Sequence, residues 1–128
     1  MLARARMEAI VPISDLDRAI DFYGNTLGLE LLERREESPD NPEARFRVGE
    51  RTLAAYKSVG AGQSKHTLAA FVVDDLDATA QQLRERGVAS EEYDLPDLRT
   101  DNGVASMGET RAAWFRDPDG SILAVAQF

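Results

Sequence analysis

The sequence predicts an α+β fold built from two tandem βαβββ modules, and three observations predict it. The segment Pro12-Ile13-Ser14-Asp15-Leu16-Asp17-Arg18-Ala19 returns at an offset of 60 as Val72-Val73-Asp74-Asp75-Leu76-Asp77-Ala78-Thr79. Each copy ends an apolar run on an Asp-Leu-Asp string, the pattern of a strand passing into a capped helix. After each copy come a further strand pattern, a loop rich in breakers, and a hairpin pattern.

The elements follow in order. Ser14 or Asp15 offers a short acceptor to the free N–H groups of a first helical turn, and an acid there suits the helix dipole. A helix is predicted from about Leu16 to Thr26, burying Leu16, Ala19, Ile20, Tyr23 and Leu27, with Gly28 as its stop. By the same reasoning Asp74 or Asp75 caps a second helix from about Leu76 to Glu85, with Leu76, Ala80 and Leu83 inward and Gly87 ending it. Strands are expected at Glu30 to Arg35 and Val88 to Tyr93, followed by loops at Ser38-Pro39-Asp40-Asn41-Pro42 and Pro96 to Gly108. One hairpin runs from Ala44 to Val48, turns at Gly49-Glu50-Arg51 and returns over Thr52 to Lys57. The other runs from Arg111 to Arg116, turns at Asp117-Pro118-Asp119-Gly120 and returns over Ser121 to Gln127. Gly60 to Ser64 has linker composition, yet neither four-stranded half covers its own sheet, so one domain is expected over 7–128. Module one covers about 7–58 and module two about 66–128. Residues 1–6 read as an N-terminal extension, since Met7 directly precedes the first strand.

Composition narrows the function. Lys and Arg number 15 against 23 Asp and Glu, a formal net charge of −8. No basic face is on offer for nucleic acid, whose binding needs cations to displace counterions. Acidity favours solubility and steers cationic small molecules. The absence of cysteine removes thiolate nucleophiles, disulfides and sulfur-ligated metal. No stretch reaches the roughly 18 apolar residues of a membrane span, and the N-terminus lacks the apolar run of a signal peptide, so a cytoplasmic protein is expected. No Gly-rich phosphate loop or Ser-His-Asp arrangement is present.

Two βαβββ modules, with PISDLDRAIDFYGNTLGLEL opening the first and WFRDPDGSILAV closing the second, resemble the vicinal oxygen chelate superfamily. This is the superfamily of glyoxalases, bleomycin-resistance proteins and dioxygenases. The resemblance spans about residues 7–128 and implies a curved mixed sheet. In metal-dependent members, one ligand comes from the first strand of each module and one from its last. The first-strand position lies seven residues before the cap Asp, which gives Glu8 and Leu68. The last-strand position lies four residues beyond the turn Gly, which gives Ala124 and, by hairpin alignment from Arg51, Ala55. One donor side chain therefore stands where a metal enzyme offers four, and no metal or other cofactor is expected.

His66, the only histidine, lies two residues before Leu68 and shares its face in a regular strand. It reads either as a strand-entry imidazole bonded to a neighbour or, after a register slip at a bulge, as an occupant of the ligand slot. Glu8 among alanine and leucine would have a raised pKa and could act as a general base; alternatively it pairs with Arg45, Arg47 or Arg111, or takes a cationic ligand. Trp114 and Phe115 point to opposite faces, and the resemblance implies Phe115 in the core and Trp114 on the cleft side; alternatively both rings are structural, as large aromatics in small domains usually are. Asp117-Pro118-Asp119-Gly120 reads as a turn rather than an acid pair.

The function expected is metal-free binding of a small cationic or aromatic molecule by Glu8, Ala55, Leu68, Trp114 and Ala124, in a homodimer. The alternatives are a glyoxalase-type lyase or dioxygenase, or a metal-independent isomerase or hydrolase using Glu8 or His66 as catalytic group.

Overall fold

A computed structural model describes residues 1–37 and 41–128. Two compact units divide the chain, Met1–Gly62 and Gln63–Phe128, and their boundary falls inside the glycine-rich linker. The predicted breakers Ser38, Pro39 and Asp40 lie outside the described residues.

In the first unit, strand β1 (Ala9–Ile13) leads into helix α1 (Leu16–Ile20), which widens into a π-helical segment over Asp21–Thr26. Asp15 is the cap: its carboxylate accepts from the Arg18 N–H at 3.0 Å. The predicted helix therefore spans the expected residues but changes hydrogen-bond period midway, with Leu27 N–H donating to the Phe22 carbonyl. Leu16, Ala19 and Tyr23 are buried as the spacing requires, whereas Ile20 and Leu27 are half-buried. Strands β2 (Glu30–Arg35), β3 (Glu43–Val48) and β4 (Arg51–Lys57) complete a four-stranded mixed sheet in the order β1-β4-β3-β2. The β1–β4 pair is parallel and the others antiparallel.

Which side of this sheet meets the helix is set by alternation along the strands. Phe46 is fully buried, with its ring 5.9 Å from that of Tyr23. Its cross-strand neighbour Leu53, and the Ala44–Ala55 pair beside it, share that helix-facing core. The opposite face carries Glu43, Arg45, Arg47, Thr52, Ala54 and Tyr56.

The second unit repeats the order of this plan but differs in its outer strand. Strand β5 (Thr67–Val72) leads into α2 (Leu76–Glu85), capped by Asp75, whose carboxylate accepts from Ala78 N–H at 3.0 Å. Gly87 at φ 83° ends the helix. Residues 88–93 do not form the expected strand. They run as irregular chain, held by Glu91 N–H donating to the Trp114 carbonyl at 2.7 Å, into a two-residue ladder between β6 (Asp94–Leu95) and β7 (Leu98–Arg99).

The outer slot of the sheet goes instead to β8 (Val104–Met107), inside the segment expected to be loop. It pairs with β9 (Thr110–Arg116) across the two-residue turn Gly108-Glu109, Gly108 standing at φ 64°. A tight turn brings an antiparallel neighbour into register with no loop to order, so the nearest available strand takes the edge. With β10 (Ile122–Gln127) the sheet order is β5-β10-β9-β8. The helix-facing side is marked by Arg111, which grips Asp77 of α2 through two bonds of 3.0 and 2.8 Å, and by Gln127, which accepts from Leu76 N–H. Phe115, Leu123 and Val125 share it and are buried. No helix among the described residues is long and apolar enough to cross a membrane.

Candidate functional site

The first unit places Glu8 one residue ahead of β1. Its carboxylate is not set among alanine and leucine. Arg45 donates to both its oxygens, Nε to Oε2 at 2.9 Å and Nη2 to Oε1 at 3.3 Å, and Thr52 Oγ1 donates to Oε2 at 2.7 Å. Arg45 also reaches Glu43 at 2.7 Å and Glu33 at 3.5 Å through Nη1. Of the partners expected for Glu8, Arg45 is the one found; Arg47 instead holds Glu30 at 2.9 Å. Strand period explains the cluster, since Glu43, Arg45 and Thr52 all occupy the face opposite Phe46 and Leu53.

Electrostatically this inverts the expected chemistry. The hydrogen bond from Arg45, then that from Thr52, hold the Glu8 carboxyl below its ordinary value of 4.5, and the Arg45 guanidinium is pushed up in turn. A general base near neutrality needs the opposite shift. The depressed value stabilises the fold at pH above the ordinary carboxylate range, and that contribution is lost as pH falls through the Glu8 folded value. An NMR titration of the Glu8 side-chain carboxyl carbon should give a midpoint below 4.5, and Arg45→Met should raise it. A wild-type midpoint at or above the ordinary value would mean that the pair does not form.

Ala55 is not on this face. The ladder sets it against Ala44 and Val11, in the helix-side core, while Ala54, opposite Arg45 and Ile10, shares the face of Glu8. The count from one hairpin to the other slips because their turns differ. Gly49-Glu50 closes the first, whereas Asp117 to Ser121 intervene between the paired Arg116 and Ile122 in the second.

In the second unit Ala124 pairs with Trp114, on the face away from α2. Trp114 is half-buried, and its Nε1 donates to Thr67 Oγ1 at 3.1 Å. The Tyr93 ring meets it edge-on with centroids 5.6 Å apart. Ala112, Ala124 and Ala126 flank the indole along the ladder. A bulge does interrupt β5: Thr67 pairs with Ile122 and Ala69 with Leu123, leaving Leu68 as the extra residue. The residue this brings to the Trp114 face is Thr67, not His66. His66 is exposed outside the strand, with Nδ1 3.1 Å from Ser64 Oγ. Asp117 is buried in the expected turn, its Oδ1 accepting from the N–H groups of Asp119 and Ser121 at 3.0 and 2.9 Å.

Four positions where the resemblance implies metal ligands thus carry Glu8, whose oxygens are engaged by Arg45 and Thr52, and Ala55, Leu68 and Ala124, which have no donor atom; Ala54, on the face of Glu8, has none either. These residues do not fit a divalent ion. Among the described residues no three His, Cys, Asp or Glu side chains gather as a metal-binding group. Sequence reasoning missed Thr52, Thr67 and Tyr93. The polar-apolar alternation Glu43-Ala44-Arg45-Phe46-Arg47 was the signal for the charged face, whereas nothing local pointed to the contact between Tyr93 and Trp114.

The comparisons agree with this architecture. The chain is 32% identical over 124 residues to the uncharacterized protein YraH of Bacillus subtilis, covering 88% of this chain and 90% of that one. It is 29% identical over 127 residues to a lactoylglutathione lyase of Haemophilus influenzae, covering 89% and 85%. The solved structure of a glyoxalase family protein from Enterococcus faecalis superposes with a TM-score of 0.72 at 22% identity, over 98% of this chain and 99% of that one, and shows the shared fold. The glyoxalase/bleomycin resistance protein/dioxygenase superfamily profile matches residues 6–125, nearly the whole chain, and the chain belongs to that superfamily.

Proposed function

We propose that this chain binds a small, flat aromatic molecule without a metal ion. The observation that carries the reading is the state of the ligand positions: one carboxylate already neutralised by Arg45, and alanine or leucine elsewhere. In the second unit Trp114 supplies an aromatic surface on the sheet face away from α2, bordered by alanines and braced by Tyr93 and Thr67. Small flanking side chains leave the indole as the largest apolar contact there, suited to stacking. Charge pairing of a cationic ligand with Glu8 loses its basis, because Glu8 is matched within the fold. A cationic ligand is recognised over the indole ring, at about 0.5–2 kcal/mol.

Titration with quinoline and with the N-methylquinolinium cation tests this. Both should quench Trp114, the only tryptophan, and Trp114→Leu should abolish saturable binding of both. Unchanged emission across both titrations would remove the reading.

A lyase is the second reading, favoured by the similarity to a lactoylglutathione lyase. The ligand positions oppose it, and so does the lowered Glu8 pKa for any route using Glu8 as base. Lactoylglutathione turnover by the purified protein, with added divalent metal and without, separates the two: turnover dependent on a tightly bound metal would overturn metal-free binding.

A further inference from the structure

We propose that the first unit carries an anion site, a pocket between Arg6 and Arg51 that takes the carboxylate or phosphate group of a small molecule. The pocket, of about 540 Å³, is lined by Arg6, Met7, Glu8, Arg45, Glu50, Arg51 and Thr52. That volume lies in the range that encloses a small ligand.

Its charges fall into two sets. Glu8, Arg45 and Thr52 are half-buried and bonded to one another. Arg6, Arg51 and Glu50 are exposed, and among the described residues none of the three has an ion-pair partner. The balance is therefore two open guanidiniums against one open carboxylate, a positive site in a chain of net charge −8.

Arg51 differs in this from the other arginines of its sheet, and Arg6, ahead of β1, is open in the same way. Arg34, Arg35, Arg45 and Arg47 each hold a carboxylate at 2.9 Å or closer. With acids in excess, a structural role for Arg6 and Arg51 would pair them in the same way. Two exposed planar forks lining one pocket instead match the two oxygens of a carboxylate or phosphate. The field of Arg6 also reaches Glu8, whose pKa it helps to lower. Arg6 belongs to the stretch that reads from sequence as a mere extension.

The test uses the whole chain at low ionic strength, titrated with inorganic phosphate and separately with benzoate, and followed through the side-chain Nε–Hε NMR signals of the arginines. Saturable shifts confined to Arg6 and Arg51 are expected. Arg6→Gln and Arg51→Gln should each weaken binding about ten-fold, as loss of a charge-assisted hydrogen bond implies. Arg51→Lys should restore part of it, and Arg47→Gln, outside the pocket, should bind as wild type does. Saturation by phosphate alone or by benzoate alone supports the site and identifies the group it prefers. Shifts that never saturate, or equal weakening by Arg47→Gln, would overturn it. Because Trp114 emission plays no part, failure here is separate from failure of the aromatic reading.

Discussion

Phe46→Ala is expected to destabilise the first unit by about 3–5 kcal/mol, the usual cost of deleting a buried phenyl ring. The side chain is wholly buried, and its ring meets that of Tyr23, itself fully buried in the π-helical turn. Truncation removes apolar area from the centre of the sheet and leaves a cavity. The neighbours Leu53 and Ala55 sit on a hydrogen-bonded ladder and cannot move in to fill it. Since small domains are stable by about 5–15 kcal/mol, this variant would keep only part of the margin. Urea unfolding followed by far-ultraviolet circular dichroism measures the loss. Phe46→Leu should cost much less, because it retains most of the volume. A loss below about 1 kcal/mol for the alanine variant would mean that the ring is not the core of its unit.

The second large effect belongs to the turn between β9 and β10. Asp117→Ala should cost about 2–4 kcal/mol, through two backbone donors left without their acceptor. Asp117 is 5% exposed, and one of its carboxylate oxygens accepts from both Asp119 and Ser121. Ser121 is fully buried, so water does not replace the lost bond there. The turn also sets the register of β10 on β9, and with it the pairing of Ala124 with Trp114. Asp117→Asn retains a carbonyl acceptor and should lose less than half as much. Equal losses for the two variants would show that the carboxylate charge matters rather than its geometry. Unfolding midpoints of both proteins, read by Trp114 emission, decide between these outcomes.

Much of this molecule was legible because its signals are local. Asp15 and Asp75 cap their helices through their own side chains, three residues from the N–H groups they satisfy. Gly28 and Gly87 end those helices at φ 78° and 83°, a conformation glycine adopts without strain. The Asp-Pro-Asp-Gly string folds on itself as a turn, and Phe115 and Trp114 divide between the two faces because strand period requires it. The superfamily match extends over residues 6–125, which include all of these local strings.

Tertiary structure decided what depends on competition between distant partners. Residues 88–93 follow the second helix as β2 follows the first, yet β8 holds the sheet edge through a two-residue turn, a comparison that no window of sequence contains. Hairpin turns of unequal length put Ala54, not Ala55, beside Glu8, since a one-residue change in register exchanges the two faces of a strand. The chemistry of Glu8 was settled the same way. Its neighbours in sequence are Met7 and Ala9, but 37 residues on, Arg45 arrives on the same sheet face and turns a prospective base into a paired, acid-shifted carboxylate. Local hydrogen bonds are encoded where they act, whereas burial and charge pairing are properties of the surfaces that folding brings together.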